Sequence, residues 1–564
     1  MKVVFRQPNS EELSGVLLNR GGKATGQYRD FWNIDCNGSK KCLDFRSMDY
    51  VKAVPDQGEE HAFVVLIPRH LHNSENCFEA KRKEIENLKC HNVFEEVPDQ
   101  GQKTIGTNWI LAEKVKDGKT FVKARLCARG DQEVDKQNIR TDSPTIDKSN
   151  IKLILLTAAK NNWQVKTSDV SCAFLQGAEI DREVYVKPPR EARVRNTLWK
   201  MNKSIYGLDD ASRNWYLSLH ETLTALGCVV SKFDSALFLY FHEGALHGIL
   251  GTHVDDLLHT GDSVFEDNVI SKLKSTYIFG TEEEEDFRYV GMNVQRFDNH
   301  ITVNQDHYIK ALEVPDMTPF ADLSPDEILD EKSQGIFRSC VGKIGWLCAH
   351  SRPDLSFDYI DLSSKFGKAT VKDFRNVSKK FQKLKADTTI MKIPDMGDVK
   401  DWILLGYGDV GMRSLPGAIN SCGGQVVILK NCVSNKACVI YWRSRSIKRI
   451  ATSTLAGEAL AVSDLIGDII YTKAVLQEIF GDTVADVPAH IFTDSKNLDK
   501  SISSVKLVDD RRLRTELAYI KEVLDKGEIQ DLSWISGQQM LANCLTKRGA
   551  SADSLLKVLR SGYI

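Results

Sequence analysis

The chain of 564 residues carries almost no net charge, no long apolar run and no cysteine pattern of the kind that binds zinc. Each absence excludes something. A formal charge of −2 argues against a globally basic nucleic-acid binder, so any basic surface must be local. The 13 cysteines are scattered, without CxxC or a Cys–His cluster. Cys432 and Cys438 come nearest to a pair and are expected on neighbouring strands, so reduced, intracellular thiols are the reading. No stretch approaches the roughly 20 apolar residues of a membrane span, and MKVVFRQPNSEEL lacks a signal-peptide core. The expectation is a soluble intracellular protein. With 42% apolar and 27% charged residues it is globular in composition, and its length is too great for one core.

What is present centres on residues 246–261, LHGILGTHVDDLLHTG. Leu246 to Val254 reads as a buried strand, Asp255-Asp256 as a tight turn, and Leu257 to Thr260 as the returning strand. Two adjacent carboxylates at the tip of an apolar hairpin repel, and each loses solvation unless a cation compensates. An oxygen-rich site suits Mg²⁺. The alternative is that Asp-Asp simply favours a turn. A second carboxylate upstream favours the metal: WQVKTSDVSCAFLQG reads as a strand ending in Asp169. Strand-end carboxylates from separated segments can share a metal pair that clamps the oxygens of phosphoryl transfer. His253 precedes the pair, but magnesium prefers oxygen, so packing or primer contact is the expected role.

Elsewhere, Cys77 to Val97 turns helical, with Ala80, Ile85 and Leu88 in period. Residues 106–129 read as a hairpin round Asp117-Gly118. Lys114, Lys116, Lys119, Lys123, Arg125 and Arg129 suit either a solvated surface or a grip on phosphates. Asn150 to Asn161 reads as an amphipathic helix, and EEEED (282–286) as a solvated loop.

KARLCARG, SDVSCAFLQG, EVYVKPP, LWKMNKSIYGLDDASRNWY and HVDD occur in this order. Together with FRYVGMNV, YIKALE and VGKIGWLCAHSRPDLS, they resemble the reverse transcriptase of Ty1/copia-type retrotransposons over roughly residues 77 to 370. The resemblance implies a right-hand polymerase in an α/β (α+β multidomain) chain. Asp169, Asp255 and Asp256 match the metal-binding triad, Asp169 and Asp255 bridging two Mg²⁺ and Asp256 supporting, with the Val170 carbonyl beside them. Phe174 matches the gate that rejects a 2′-hydroxyl. Lys114 and Arg125 match positions that hold the incoming dNTP, and Tyr206, Gly207 and Arg213 lie in a motif under the template–primer.

From Asp401 three strands, the long helix TLAGEALAVSDLIGDIIYTKAVLQEIF, and then mixed strands and helices resemble the RNase H that follows in such polyproteins. Asp409, Glu458 and Asp494 would share up to two further Mg²⁺ against an RNA–DNA hybrid. The fourth family position is usually Asp; here LANCLTK places Asn543, which supplies no charge, so weakened RNase H activity is expected. Arg511, Arg512 and Arg514 are either hybrid contacts or exposed charges.

The implied layout is a lead-in over 1–78, fingers and palm over 79–300, thumb and connection over 301–395, and an RNase H-like domain over 396–564. The implied partners are an RNA template, a DNA primer, the RNA–DNA hybrid and dNTPs, without a membrane. The implied setting is the cytoplasm, within virus-like particles, or the nucleus. The rival readings are a decayed or co-opted nucleic-acid-binding remnant, fed by Asn543, and a stand-alone or telomerase-type polymerase, opposed by the RNase H-like tail.

Overall fold

The computed structural model describes residues 2–6, 12–20, 31–36, 39–44, 50–54, 65–116, 119–134, 136–412, 414, 421–484, 487–504 and 509–564. The expected Asp117-Gly118 turn lies outside the described residues. The chain divides into two compact units, 1–141 with 177–214, and 142–176 with 215–564.

In the first unit, five antiparallel strands between Lys2 and Val54 form one sheet. This is regular backbone in a stretch read from the sequence only as a lead-in. The helix Glu75–Cys90 buries Cys77, Ala80, Ile85 and Leu88, the periodic face anticipated, but stops at Cys90, and Phe94–Pro98 is a strand. The strands Thr107–Lys116 and Lys119–Ala128 pair antiparallel over their full length. The YGL turn packs against the end of this hairpin. The Tyr206 carbonyl accepts from Ala128 N at 2.7 Å. At Gly207 φ is +90°, and a Cβ would lie 2.2 Å from the Ala128 carbonyl oxygen, so both conformation and space demand glycine there.

In the second unit a six-stranded antiparallel sheet runs in the order Cys228–Val230, Leu237–His242, Ala245–His253, Asp256–Gly261, Gln164–Val170, Phe279–Glu284. The helix Lys148–Asn161 differs from its amphipathic reading: every residue from Ser149 to Ala159 is buried, Lys152 included. It touches the six-stranded sheet, the four-stranded sheet of Asp286–Tyr289, Met292–Phe297, His300–Asn304 and Met391–Pro394, and the C-terminal strand Ala437–Ser446. With neighbours on all sides it has no solvent face. The Lys152 ammonium lies 4.2 Å above the Trp442 ring. The acidic run at 282–284 also departs from expectation. It is an exposed edge strand paired with Gln164–Val170, Glu282 opposite Ser168 and Glu284 opposite Lys166. Hydrogen bonding to the neighbouring strand overrides a composition poor in β-formers.

The helices Glu331–His350 and Val371–Ala386 bury Phe337, Phe374 and Phe381 in their own core. The C-terminal sheet orders its strands Ala437–Ser446, Cys422–Asn431, Trp402–Gly411, Ala489–Thr493, Asp531–Trp534. The first three are antiparallel, and the last two join parallel. The helix Thr454–Phe480 is capped by Ser453, whose hydroxyl accepts from Ala456 N, and lies on this sheet. One apolar core runs unbroken from Ile151 and Ile154 through Met391 and Trp402 to Val426 and Leu465.

Candidate active sites

The first site sits where two hydrogen-bonded strands of the six-stranded sheet end together. Asp169 stands opposite Asp256 in register, and Val170 N donates to the Asp255 carbonyl at 2.9 Å. The two-residue turn is Val254-Asp255, so Asp256 opens the returning strand rather than lying in the turn. Val254 holds φ at +60°, a costly conformation for a β-branched residue. Its carbonyl accepts from the buried Trp215 indole N–H at 2.7 Å, which ties the strained turn to the helix Ala211–Ala225. Burial, then the charges of Asp255 and Asp169, push the Asp256 carboxyl up to about 6. A half-buried acid that binds its proton this tightly is a site asking for a cation.

Beneath these acids, Ser168 Oγ lies 3.1 Å from His259 Nε2. Burial foremost, with Lys166 and Lys274, drives His259 down to about 3, so it is a neutral packing partner. His253 forms a bridge to Thr145 and faces Asp256 across the hairpin. Phe174, in the short helix Ala173–Gln176, packs half-buried against the core beside this sheet. Gly280 is a residue the sequence did not single out. A Cβ there would lie 2.7 Å from Asp169 Oδ2 and 2.9 Å from Ser171 Oγ, so the edge strand passes Asp169 too closely for any side chain.

Lys114, Arg125, Tyr206, Gly207 and Arg213 belong to the first unit. There Arg125 lies 5.3 Å from the Tyr206 ring centroid. Arg182 pairs with Glu133 at 2.6 Å and with Asp210, fixing the loop after Gly207.

The second site lies on the C-terminal sheet. Asp409 is fully buried on the first strand, Glu458 is buried in the second turn of the long helix, and Asp494 follows the strand Ala489–Thr493. Their ligating oxygens all lie within 4.8 Å of one another, a grouping that Asp169, Asp255 and Asp256 do not reach among the described residues. Glu458 Oε2 is buried without a hydrogen-bond partner. Burial, then Asp409 and Asp494, push its carboxyl up to about 9, with Lys547 pulling the other way. Burial and Asp409 also raise Asp494. An orphaned buried oxygen and three converging carboxylates fit a hard divalent cation.

Around them, the Thr546 hydroxyl donates to Asp409. Lys547 Nζ lies 3.1 Å from Asp409 Oδ1, 4.0 Å from Asp494 Oδ2 and 2.8 Å from Asn543 Oδ1. Asn543 Nδ2 donates to the Gly537 carbonyl at 2.5 Å. The Asn543 amide is therefore engaged at both ends. Lys547, which sequence reasoning passed over, is marked only by following Thr546 four residues after Asn543. Arg511 and Arg512 are exposed on the first turn of the helix Arg511–Asp525, capped by Asp510.

Residues 91–321 match the family model of reverse transcriptase (RNA-dependent DNA polymerase). The chain is 27% identical over 470 residues to the Retrovirus-related Pol polyprotein from transposon RE2 of Arabidopsis thaliana, covering 78% of this chain and 31% of that protein. It is 25% identical over 545 residues to the corresponding polyprotein from transposon TNT 1-94 of Nicotiana tabacum, covering 89% and 39%. The Transposon Ty1-GR3 Gag-Pol polyprotein of Saccharomyces cerevisiae is 26% identical over 225 residues, 37% of this chain and 12% of that one. The chain thus spans about a third of the length of the two plant polyproteins and about an eighth of the yeast one. Among solved structures, a foamy viral protease-reverse transcriptase in complex with dsDNA aligns with TM-score 0.44 and 11% identity, over 82% of this chain and 83% of that one. LC11-RNase H1 aligns with TM-score 0.20 and 20% identity, over 26% and 92%. Among the described residues, no helix is long and apolar enough to cross a membrane.

Proposed function

We propose that this chain, which carries the reverse transcriptase domain of copia-type retrotransposon Pol polyproteins, is an RNA-directed DNA polymerase with a tethered, weakened RNase H. The observation that supports this reading best is the meeting of Asp169, Asp255 and Asp256 at the ends of two paired strands, with the Asp256 carboxyl raised by burial and then by its acidic neighbours. Fingers and palm over 79–300, thumb and connection over 301–395, and a nuclease over 396–564 are the corresponding assignments.

Asp169 and Asp255 would hold two Mg²⁺ ions, with Asp256 and the Val170 carbonyl in support. Bound there, the metals would lower the pKa of the primer 3′-hydroxyl and stabilise the charge on the leaving pyrophosphate. Lys114 and Arg125 bind the triphosphate of the incoming dNTP. Phe174 presses on its sugar and excludes a 2′-hydroxyl. Tyr206, Gly207 and Arg213 support the RNA template and DNA primer, through phosphate and stacking contacts that carry little sequence information.

In the nuclease, Asp409, Glu458 and Asp494 would hold up to two further Mg²⁺, which would supply the activation of water against the RNA strand of a hybrid. Asn543 brings no charge to the fourth position, and Lys547 already neutralises part of Asp409 and Asp494. Hybrid cleavage is therefore slow. These two residues also favour a second reading, a remnant that binds nucleic acid without catalysis. The cytoplasm, where template RNA is translated and packaged, is the proposed site of action. Primer extension on poly(rA)·oligo(dT) with Mg²⁺, beside Asp255→Asn, tests the proposal. Extension that vanishes in the variant supports it; no extension from folded protein that still binds hybrid moves the assignment to the remnant.

A further inference from the structure

The segment that closes the nuclease site has little structure of its own, a single tight turn over Asn543–Leu545. It is pressed onto the sheet. At Gly411 a Cβ would lie 2.1 Å from the Thr546 carbonyl oxygen, and at Gly424 one would lie 2.6 Å from Thr546 Cγ2. Ser444 Oγ donates to the Leu545 carbonyl at 2.6 Å. Thr546 and Lys547 then reach Asp409. The next residue turns away from the sheet: Arg548 pairs with Asp361 on the helix Ser356–Ser363.

Asp361 is a buried carboxylate, its side chain 8% exposed, and its Oδ1 has no partner. Its other oxygen meets Lys365 at 3.4 Å, but Lys365 is drawn more closely to Asp373, at 2.7 Å. Asp373 in turn completes the capping box of the helix Val371–Ala386. A buried carboxylate needs its cation, and Arg548 supplies the larger share. A continuous line of charged contacts therefore runs from the cap of that helix through Lys365, Asp361 and Arg548. It reaches the backbone that carries Lys547, Thr546 and Asn543.

We infer that Arg548 and Asp361 are positioning residues of the nuclease site, setting the place of the 543–547 segment from the helices that precede the nuclease. The inference rests on the nuclease reading for its catalytic consequence, though not for its structural one. Loosening the pair lets the segment lift from the sheet ends, and the groups facing Asp409 lose their alignment. Arg548 is half-exposed, so replacing it leaves no cavity.

Hydrogen exchange of the metal-free full chain tests this, with Arg548→Ala and Arg548→Lys compared against the unaltered protein. Amides of Leu545 and Thr546, which donate within their own turn, should exchange about tenfold faster in Arg548→Ala and recover in Arg548→Lys. Amides of Gln164–Val170 and primer extension should not change, while Mg²⁺-dependent hybrid cleavage falls about tenfold. Unchanged exchange at 545–546, or faster exchange spread evenly over the C-terminal sheet, overturns the inference. Faster local exchange with no cleavage even in the unaltered chain overturns the nuclease reading instead, and leaves the positioning contact standing.

Discussion

The two carboxylate sites answer the same electrostatic problem in different ways. At the proposed polymerase site, Asp256 is raised by burial, Asp255 and Asp169, with no cation opposing the rise. At the proposed nuclease site, three tighter carboxylates share a resident ammonium, since Lys547 reaches Asp409 and Asp494 and offsets part of the rise at Glu458. At Asp256 the compensation would therefore come from bound metal. The proposed nuclease site holds part of its compensation in the chain and would gain correspondingly less from metal. A difference in charge balance, rather than in the number of acids, separates the site proposed to be fully active from the one proposed to be weakened.

The sharpest way to break this comparison is to disable each site alone. Asp255→Asn should lower primer extension by about a thousandfold or more and leave hybrid cleavage unchanged; Asp494→Asn should do the converse. Steady-state rates for both reactions from one preparation check it. Loss of both activities in either variant would mean that the sites are not independent.

A subtler variant is Gly280→Ala. The added methyl would displace the Asp169 carboxylate by overlap at 2.7 Å, so extension should fall about a hundredfold while the melting temperature stays close to that of the parent. Asn543→Asp should act in the opposite direction. It returns a charge to the nuclease and gives Lys547 a competing partner at 2.8 Å, so hybrid cleavage should rise about tenfold with extension unchanged. No gain would remove Asn543 from the account of the weakened site.

The smallest effect is on stability against pH. Asp256 and Glu458 bind protons more tightly when folded, with values of about 6 and about 9 against ordinary values of 3.8 and 4.5. Their contribution is fully present below the ordinary values and is lost as pH rises through the folded ones, because only the folded state must then give up a proton. In EDTA the melting temperature should drop by a few degrees between about pH 5 and 9, and Mg²⁺ should recover most of that loss. A melting temperature independent of both pH and Mg²⁺ would count against two metal sites.

Much of this was legible in the sequence where the chemistry is carried by short, ordered motifs. The Asp255-Asp256 hairpin, the strand ending near Asp169 and the helix over 454–480 are local patterns with a period or a turn to betray them, whereas the grouping of Asp409, Glu458 and Asp494 comes from the resemblance carried by the order of the blocks. What escaped depends on neighbours distant in the chain. The edge strand at 282–284 has the composition of a loop and exists because Gln164–Val170 offers it hydrogen bonds. Burial of the helix Lys148–Asn161 on every side needs three partners that sequence periodicity does not see. Gly280 matters only because Asp169 passes beside it, and Arg548 only because Asp361 lies opposite. Lys547 escaped for the same reason, since one lysine among 75 basic residues carries no mark of the acids it faces.

The central claim is that one chain holds a competent polymerase site beside a nuclease site slowed by its own lysine and amide. It is tested most directly by following extension and RNA cleavage together on one doubly labelled RNA–DNA hybrid in Mg²⁺. The account predicts rapid extension, cleavage at least tenfold slower, and a narrowing of that gap in Asn543→Asp. Cleavage as fast as extension in the unaltered chain, or no extension from folded protein bound to the hybrid, would contradict it.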